Sequence, residues 1–259
     1  MERRTFVGAS VATLCTAATP SLAADPKPET PELYELRSYS LQSANRPLLD
    51  AYLEKAFLPA LKRYGVGPVG VFLEPAEKEL LKVYVLIVHK TVASVATLAA
   101  RLAADDAHRK AAGEYLSAQA DDPVYLRIES SLLSAIAGLP KLEKPDASKP
   151  RLVNLRVYES HNERAAAKKI EMFNEGELAI FRRVGLTPVF FAETIVGAAM
   201  PNLTYLLVFP DEAGRKAAWD RFRVDPEWVK LKSIPEYADK EIVSRITNKI
   251  LTPAPYSEI

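Results

Sequence analysis

In the stretch Glu35-Leu36-Arg37-Ser38-Tyr39 polar and apolar side chains alternate with the two-residue period of a β-strand. Glu35, Arg37 and Tyr39 therefore share one face, and Leu36 lies on the other. A near copy, Asn154-Leu155-Arg156-Val157-Tyr158, returns 119 positions later and sets Asn154, Arg156 and Tyr158 against Leu155 and Val157. After the first strand the period changes. Leu48, Leu49, Tyr52, Leu53, Ala56, Phe57, Ala60, Leu61 and Tyr64 recur at helical spacing, which predicts a helix over 45–64 that ends at Gly65. Pro68 opens a strand over 69–74, and a nearly continuous apolar run over 81–89 reads as a buried central strand. A helix pair over 93–104 and 106–119 follows. In the closing strand, 125–133, Arg127, Glu129 and Ser131 alternate with Ile128 and Leu132.

The same series recurs after a charged linker, 139–150, that contains three prolines. Strands are expected at 152–159, 189–195, 204–209 and 242–251, with helices at 163–184, 212–222 and 226–237 and a hairpin tip at Met200-Pro201-Asn202. The register holds along the chain: Leu58/Leu178, Arg63/Arg183, Gly65/Gly185, Pro68/Pro188 and Asp105/Asp225 are 120 apart, Tyr84/Tyr205 121, and Arg127-Ile128/Arg245-Ile246 118. A near-constant offset of this length marks two copies of one domain, at 33–138 and 151–259, whose tail at 252–259 is expected to wrap the surface. Each copy reads β-α-β-β-α-β, the ferredoxin-like order, with both helices on one face of an antiparallel sheet. The fold class is thus α+β, two tandem ferredoxin-like domains, and each bare sheet face must meet something.

The N-terminal residues 1–24 read as an export signal of twin-arginine type: Arg3-Arg4-Thr5-Phe6-Val7, a weakly apolar run to Leu22, and small residues at Ser21 and Ala23. Residues 25–32 form a Pro-rich, charged spacer expected to be disordered. The expected location is periplasmic or otherwise exported. The single cysteine, Cys15, falls inside this signal, so the mature chain has neither disulfide nor thiolate chemistry. Charge is balanced, with 34 basic and 33 acidic residues and no basic block, which argues against nucleic acid and anionic membranes as partners. After signal removal no run approaches about 18 apolar residues, the length of a membrane span.

The motifs as a set resemble the NIPSNAP family. The family's Y-E-L-R-x-Y strand stands here as Tyr34-Glu35-Leu36-Arg37-Ser38-Tyr39, and its G-x-x-P turn follows the first helix of each copy. Its late D-P-x-W is Asp225-Pro226-Glu227-Trp228, where the first copy departs to Asp105-Asp106-Ala107-His108. The resemblance implies tandem NIPSNAP domains of the dimeric α+β barrel superfamily, in which two ferredoxin-like sheets face each other around a cavity. The facing copy would come from the same chain or from a second molecule, a homodimer. Relatives with this barrel include cofactor-free monooxygenases of polycyclic phenols, haem-degrading enzymes and stress-response proteins. NIPSNAP proteins themselves are treated mostly as transport- or signalling-related. No activity transfers with the fold.

The polar strand faces supply the candidate site: Glu35, Arg37, Tyr39, Asn154, Arg156 and Tyr158, joined by Arg127 and Arg245 from the closing strands. Pointing into a barrel, they would make a pocket of planar donors for a small polar or anionic ligand such as a carboxylate, phosphate or sugar. The competing interpretation is an internal ion-pair network, Glu35 with Arg37 or Arg127, that serves only the fold. His89, His108 and His161 form no H-x-x-H or H-x-H pair, so no metal site is expected and the histidines read as surface or capping residues. No nucleophile elbow or glycine-rich phosphate loop is present, and no cofactor is expected. Trp219, Trp228 and Tyr237 read as core, and Glu175/Glu177 and Asp105/Asp106 as solvated helix faces or caps. Three functions follow: a ligand-binding protein without catalysis, a cofactor-independent monooxygenase holding a phenol near Tyr39, Asn154 or Tyr158, or an interaction module with no pocket.

Overall fold

The protein is described by a computed structural model covering residue 1 and residues 30–75 and 79–259. The signal at 1–24 and most of the spacer at 25–32 lie outside the described residues. The first half runs β1 (Leu33–Gln42), α1 (Arg46–Tyr52), α2 (Leu58–Arg63), β2 (Val69–Leu73), β3 (Leu80–His89), α3 (Val92–Ala104), α4 (Asp106–Ala111), α5 (Gly113–Leu116) and β4 (Arg127–Ala135). In the second half come β5 (Leu152–Glu159), α6 (Glu163–Met172), α7 (Leu178–Val184), β6 (Thr187–Val196) and β7 (Asn202–Phe209). They are followed by α8 (Glu212–Val224), α9 (Pro226–Lys232), α10 (Asp239–Ile242) and β8 (Arg245–Pro253). The helices expected over 45–64 and 163–184 are each continuous through a π segment, Leu53–Phe57 and Phe173–Glu177, placed alike in the two halves.

Local chemistry explains where these helices begin and stop. Gly65 (φ 69°) and Gly185 (φ 86°) take the left-handed conformation that a side chain disfavours. Past them Val66 N–H donates to the Leu61 carbonyl (3.0 Å) and Leu186 N–H to that of Phe181 (2.8 Å), satisfying the helix ends. Asp105 and Asp225 accept from the backbone N–H of His108 and Trp228, capping α4 and α9. Each aspartate also pairs with the arginine of its own half, Arg63 or Arg183.

The eight strands of the described residues join one closed antiparallel barrel in the order β1-β3-β2-β8-β5-β7-β6-β4. The halves meet at two seams. At one, β4 pairs with β6 through four residue pairs, Leu132↔Val196 to Ala135↔Ala192. At the other, β2 touches β8 only at Phe72↔Pro253 and Leu73↔Thr252. The tail completes that seam instead of wrapping the surface as expected. Ala254 and Glu258 N–H donate to the Val71 and Val69 carbonyls, the Ser257 hydroxyl accepts from Val71 N–H, and the Ile259 side chain is fully buried inside the barrel. The linker is tied down as well, because Leu142 N–H donates to the Glu32 carboxylate and Glu143 N–H to the Val189 carbonyl. Glu32, expected in a disordered spacer, is therefore part of the fold.

The barrel interior is a shared core of Tyr34, Phe72, Leu86, Val88, Leu133, Val153, Phe190, Leu206 and Ile259. Outside it, each half packs its own helices over its own sheet, with Leu49, Phe57, Val83, Val85 and Ile87 in the first and Met172, Phe181, Phe191, Leu203 and Tyr205 in the second. Because the common core draws on both halves, the chain should unfold as one unit. Phe190→Ala should cost about 3–5 kcal/mol. Denaturant unfolding followed by circular dichroism should show one transition at lower denaturant, not two that separate.

Candidate functional site

The register decides where each candidate residue points. Glu35, Arg37 and Tyr39 lie opposite Ile87, Val85 and Val83, the side of the sheet covered by the first-half helices. Asn154, Arg156 and Tyr158 take the matching place in the second half, opposite Leu207, Tyr205 and Leu203. The polar faces therefore do not line the barrel. The interior takes the alternate residues, among them Tyr34 and Leu155. Packing gives the reason: the barrel core is filled by aliphatic and aromatic groups from both halves, and unpaired guanidinium groups there would lose their solvation. Arg127 and Arg245 part from the group. Their cross-strand neighbours are Ser40 and Glu159, on the barrel side, and both arginines are exposed at its open end. Tyr84 and Tyr205 are not counterparts either. Val85 stands opposite Arg37 as Tyr205 stands opposite Arg156, so Tyr84 is one residue out of phase and faces the barrel.

In the first half the polar face closes on itself. Arg37 donates to both Glu35 oxygens (2.6 and 3.0 Å), Ser130 Oγ donates to the same carboxylate (2.9 Å), and His89 Nε2 approaches it at 3.5 Å. The other ring nitrogen of His89 meets Ser94 Oγ at 2.8 Å. Burial by itself would raise the Glu35 carboxyl; His89, Arg37 and Ser130 outweigh it and bring the group from 4.5 down to about 2. His89 and His108 are both buried, contrary to the surface or capping role expected, and His108 Nδ1 meets the Leu102 carbonyl at 3.1 Å.

The second half differs at one position with large effect, since Asn154 replaces the carboxylate. The amide turns away, its nitrogen donating to Asn248 Oδ1 (2.6 Å) and to the Lys249 carbonyl (3.1 Å). No described carboxylate pairs with Arg156. One terminal nitrogen donates to Tyr158 Oη (3.1 Å), the guanidinium lies 4.6 Å from the centre of the Trp219 ring, and its buried Nε has no hydrogen-bond partner among the described residues. The Tyr205 hydroxyl, wholly buried, lies 2.9 Å from Tyr158 Oη, with the Arg156 guanidinium also acting on it. A buried hydroxyl must donate somewhere, so Tyr205 donates to Tyr158. Tyr158 then accepts from both Arg156 and Tyr205, and its own proton is left for the space beyond.

That space is a cleft of roughly 550 Å³ between the sheet and α6, α8 and α9. Lys169 and Glu177 form an ion pair at its back (2.7 Å, each side chain 2% exposed). Burial pushes the Glu177 carboxyl up, more than Lys169 pulls it down. Trp219, Phe222 and Trp228 supply apolar wall, and Arg215, Lys216, Arg223 and Lys232 bring six cations, with Arg156 and Lys169, against three acidic groups. The site is thus electropositive and partly aromatic. Glu177 is a correction to the solvated helix face expected of it, and Trp219 and Trp228 serve as both core and wall. The missed signal was the pair of charges at Lys169 and Glu177, which fall on the same helical stripe as Ala165, Ala166, Met172 and Phe173.

The first-half network makes a pH prediction. The folded Glu35 value lies below the unfolded one, so its stabilisation is complete above about 4.5 and is lost as pH falls through about 2. Glu35→Gln should flatten that acid loss in unfolding titrations. It should also lower stability at neutral pH by about 3 kcal/mol, because Arg37 is left buried without its partner.

Comparison with known proteins follows this division. Residues 153–258 match the NIPSNAP family model. No curated protein matches the sequence. Among solved structures, a monooxygenase-like protein from Lactobacillus acidophilus NCFM aligns over 86% of this chain and 94% of its own, at 11% identity and a TM-score of 0.57. An anthrone oxidase-like protein aligns over 87% and 92%, at 8% identity and a TM-score of 0.53. A NIPSNAP-like domain protein from Burkholderia xenovorans is 22% identical over 41% of this chain and 88% of its own, at a TM-score of 0.37. The two longer likenesses establish the barrel fold alone.

Proposed function

We propose that this chain, whose second half is a NIPSNAP domain, binds a small anionic ligand with a planar acid group in the cleft beneath α6, α8 and α9. The observation that carries the reading is the contrast between two arginines at one strand position. Arg37 is neutralised by a bidentate carboxylate, while Arg156 has Asn154 in that place and a free Nε. A buried guanidinium with an unused donor is costly unless something supplies the acceptor. The Tyr158 hydroxyl stands beside it as a second donor, so the two can grip the oxygens of one carboxylate, and Trp219 with Trp228 favours an aromatic acid over a short aliphatic one.

The duplication belongs to this proposal. The halves read as two ferredoxin-like units derived from one NIPSNAP-like domain, of which the first has closed its polar face with Glu35 and the second has kept an open one. Export also belongs to it, with the mature protein beginning near residue 25, a start that intact-mass measurement of the secreted protein would locate. A second reading uses the same cleft: cofactor-independent oxygenation of a phenolic substrate, favoured by the aromatic wall beside Tyr158 and by likeness in fold to monooxygenase-like proteins. The barrel lumen is a poor host for that chemistry, because Tyr34, Phe72, Phe190 and Ile259 fill its apolar part.

Titration calorimetry against aromatic carboxylates, phosphates and phenols tests both readings. An aromatic carboxylate should bind, more weakly as salt rises. Arg156→Met should weaken it by roughly tenfold to a hundredfold, the worth of a charge-assisted hydrogen bond, while Arg37→Met should not change it. Equal loss in the two variants, or binding that ignores both, would exclude the assignment. Oxygen uptake with a phenol would transfer the cleft to the second reading.

A further inference from the structure

We infer that the open end of the barrel is a second binding site, separate from the cleft, for a small neutral polyhydroxylated ligand of single-sugar size. A cavity of roughly 290 Å³ opens there, with lining residues from every strand except β2. Pockets for small molecules begin near this volume, so one sugar ring or sugar alcohol fits and a larger ligand does not. Its floor is aliphatic, made by Leu36, Leu133, Leu155 and Val157, and below that the shared core seals the barrel.

The lysines at this mouth are already matched. Lys82 pairs with Glu129 (3.2 Å) and Lys249 with Glu74 (3.4 Å), in contrast to the excess of cations in the cleft. The unmatched groups are of another kind. The hydroxyls of Tyr84, Ser131 and Thr247 line the cavity without a hydrogen-bond partner among the described residues, and the Glu159 carboxylate has only Arg245 near it, at 3.9 Å. Tyr84 is more than nine-tenths buried. Burial, then Glu74 and Glu129, push its hydroxyl up to about 12, so it remains a protonated donor. Unpaired hydroxyls and a carboxylate acceptor above an aliphatic floor complement a ring whose edge is a row of hydroxyls and whose face is C–H.

The frame around these groups is rigid. Asn202 Oδ1 accepts from Thr194 (2.7 Å) and Thr204 (2.9 Å), and its nitrogen donates to the Ala198 and Ala199 carbonyls, pinning the β6–β7 hairpin beside the mouth. The hairpin backbone packs so tightly there that a Cβ on Gly197 would lie 2.3 Å from Ser131 Oγ. A wall held in this way pays little ordering cost on binding.

The experiment is saturation-transfer NMR followed by titration calorimetry of the full chain with a panel of monosaccharides and sugar alcohols. At least one should bind saturably, with little dependence on salt, and should remain bound when an aromatic carboxylate is added. Tyr84→Phe and Glu159→Gln, which keep the shape of the wall, should each weaken it about tenfold and leave aromatic-acid binding unchanged; thermal unfolding checks that both are folded. Thr247→Phe, which fills the cavity, should abolish it. No saturable binding of any polyol by the folded protein would overturn the inference. So would binding that Tyr84→Phe, Glu159→Gln and Thr247→Phe all leave intact, or binding of charged acids in this cavity in preference to neutral polyols.

Discussion

Closure of eight strands into a single ring governs everything else in this molecule. A strand has two faces, and in this ring one face looks into a core common to both halves, while in β1–β3 and β5–β7 the other lies under helices of its own half. The inner space is narrow and closes on contributions from both halves, so it accepts Tyr34, Phe72, Phe190 and Ile259 and leaves a cavity at the end lined by Tyr84 and Thr247. Polar strand residues that cannot reach this end are directed outward, beneath helices that must either satisfy them or leave a gap.

The two halves answer that demand differently, and the difference lies in which buried charges find a partner. In the first half, Glu35 completes a network with Arg37, Ser130 and His89, and charge is balanced where it is buried. In the second, one exchange of carboxylate for amide at Asn154 and one of Val85 for Tyr205 leave a guanidinium and a phenol with unspent donors. The helices above follow the same divergence. Leu49 and Phe57 occupy the positions that Lys169 and Glu177 take 120 residues later, so an apolar contact in one half corresponds to a buried ion pair in the other. Such a pair contributes little net stability, because desolvation of both ions offsets their attraction. It lies at the back of the open cleft, beside Tyr158 and Trp228.

Much of the architecture is legible from spacing. The repeat at about 120 residues, the two-residue period of Glu35 to Tyr39, the helical stripe from Leu48 to Tyr64 and the glycines at 65 and 185 place most elements to within a few residues. Their common property is that each depends on groups close in the chain: a cap, a turn, a period. Alternation also groups Glu35, Arg37 and Tyr39, and Asn154, Arg156 and Tyr158, by face. It does not place Arg127 and Arg245, because β4 and β8 meet β1 and β5 in registers that carry these arginines to the opposite side.

Periodicity by itself determined that each strand has two unlike faces and where most of the helices begin and end. Only the tertiary structure decided which face turns inward. Alternation is symmetric under exchange of inside and outside, and the choice is made by packing and solvation: the ring closes over apolar groups from both halves, and the polar faces turn outward. The same long-range pairing sent the tail along β2 with Ile259 into the core, and it separated Tyr84 from Tyr205 by a single residue of register. Those decisions rest on contacts between residues far apart in the chain, which no local pattern encodes.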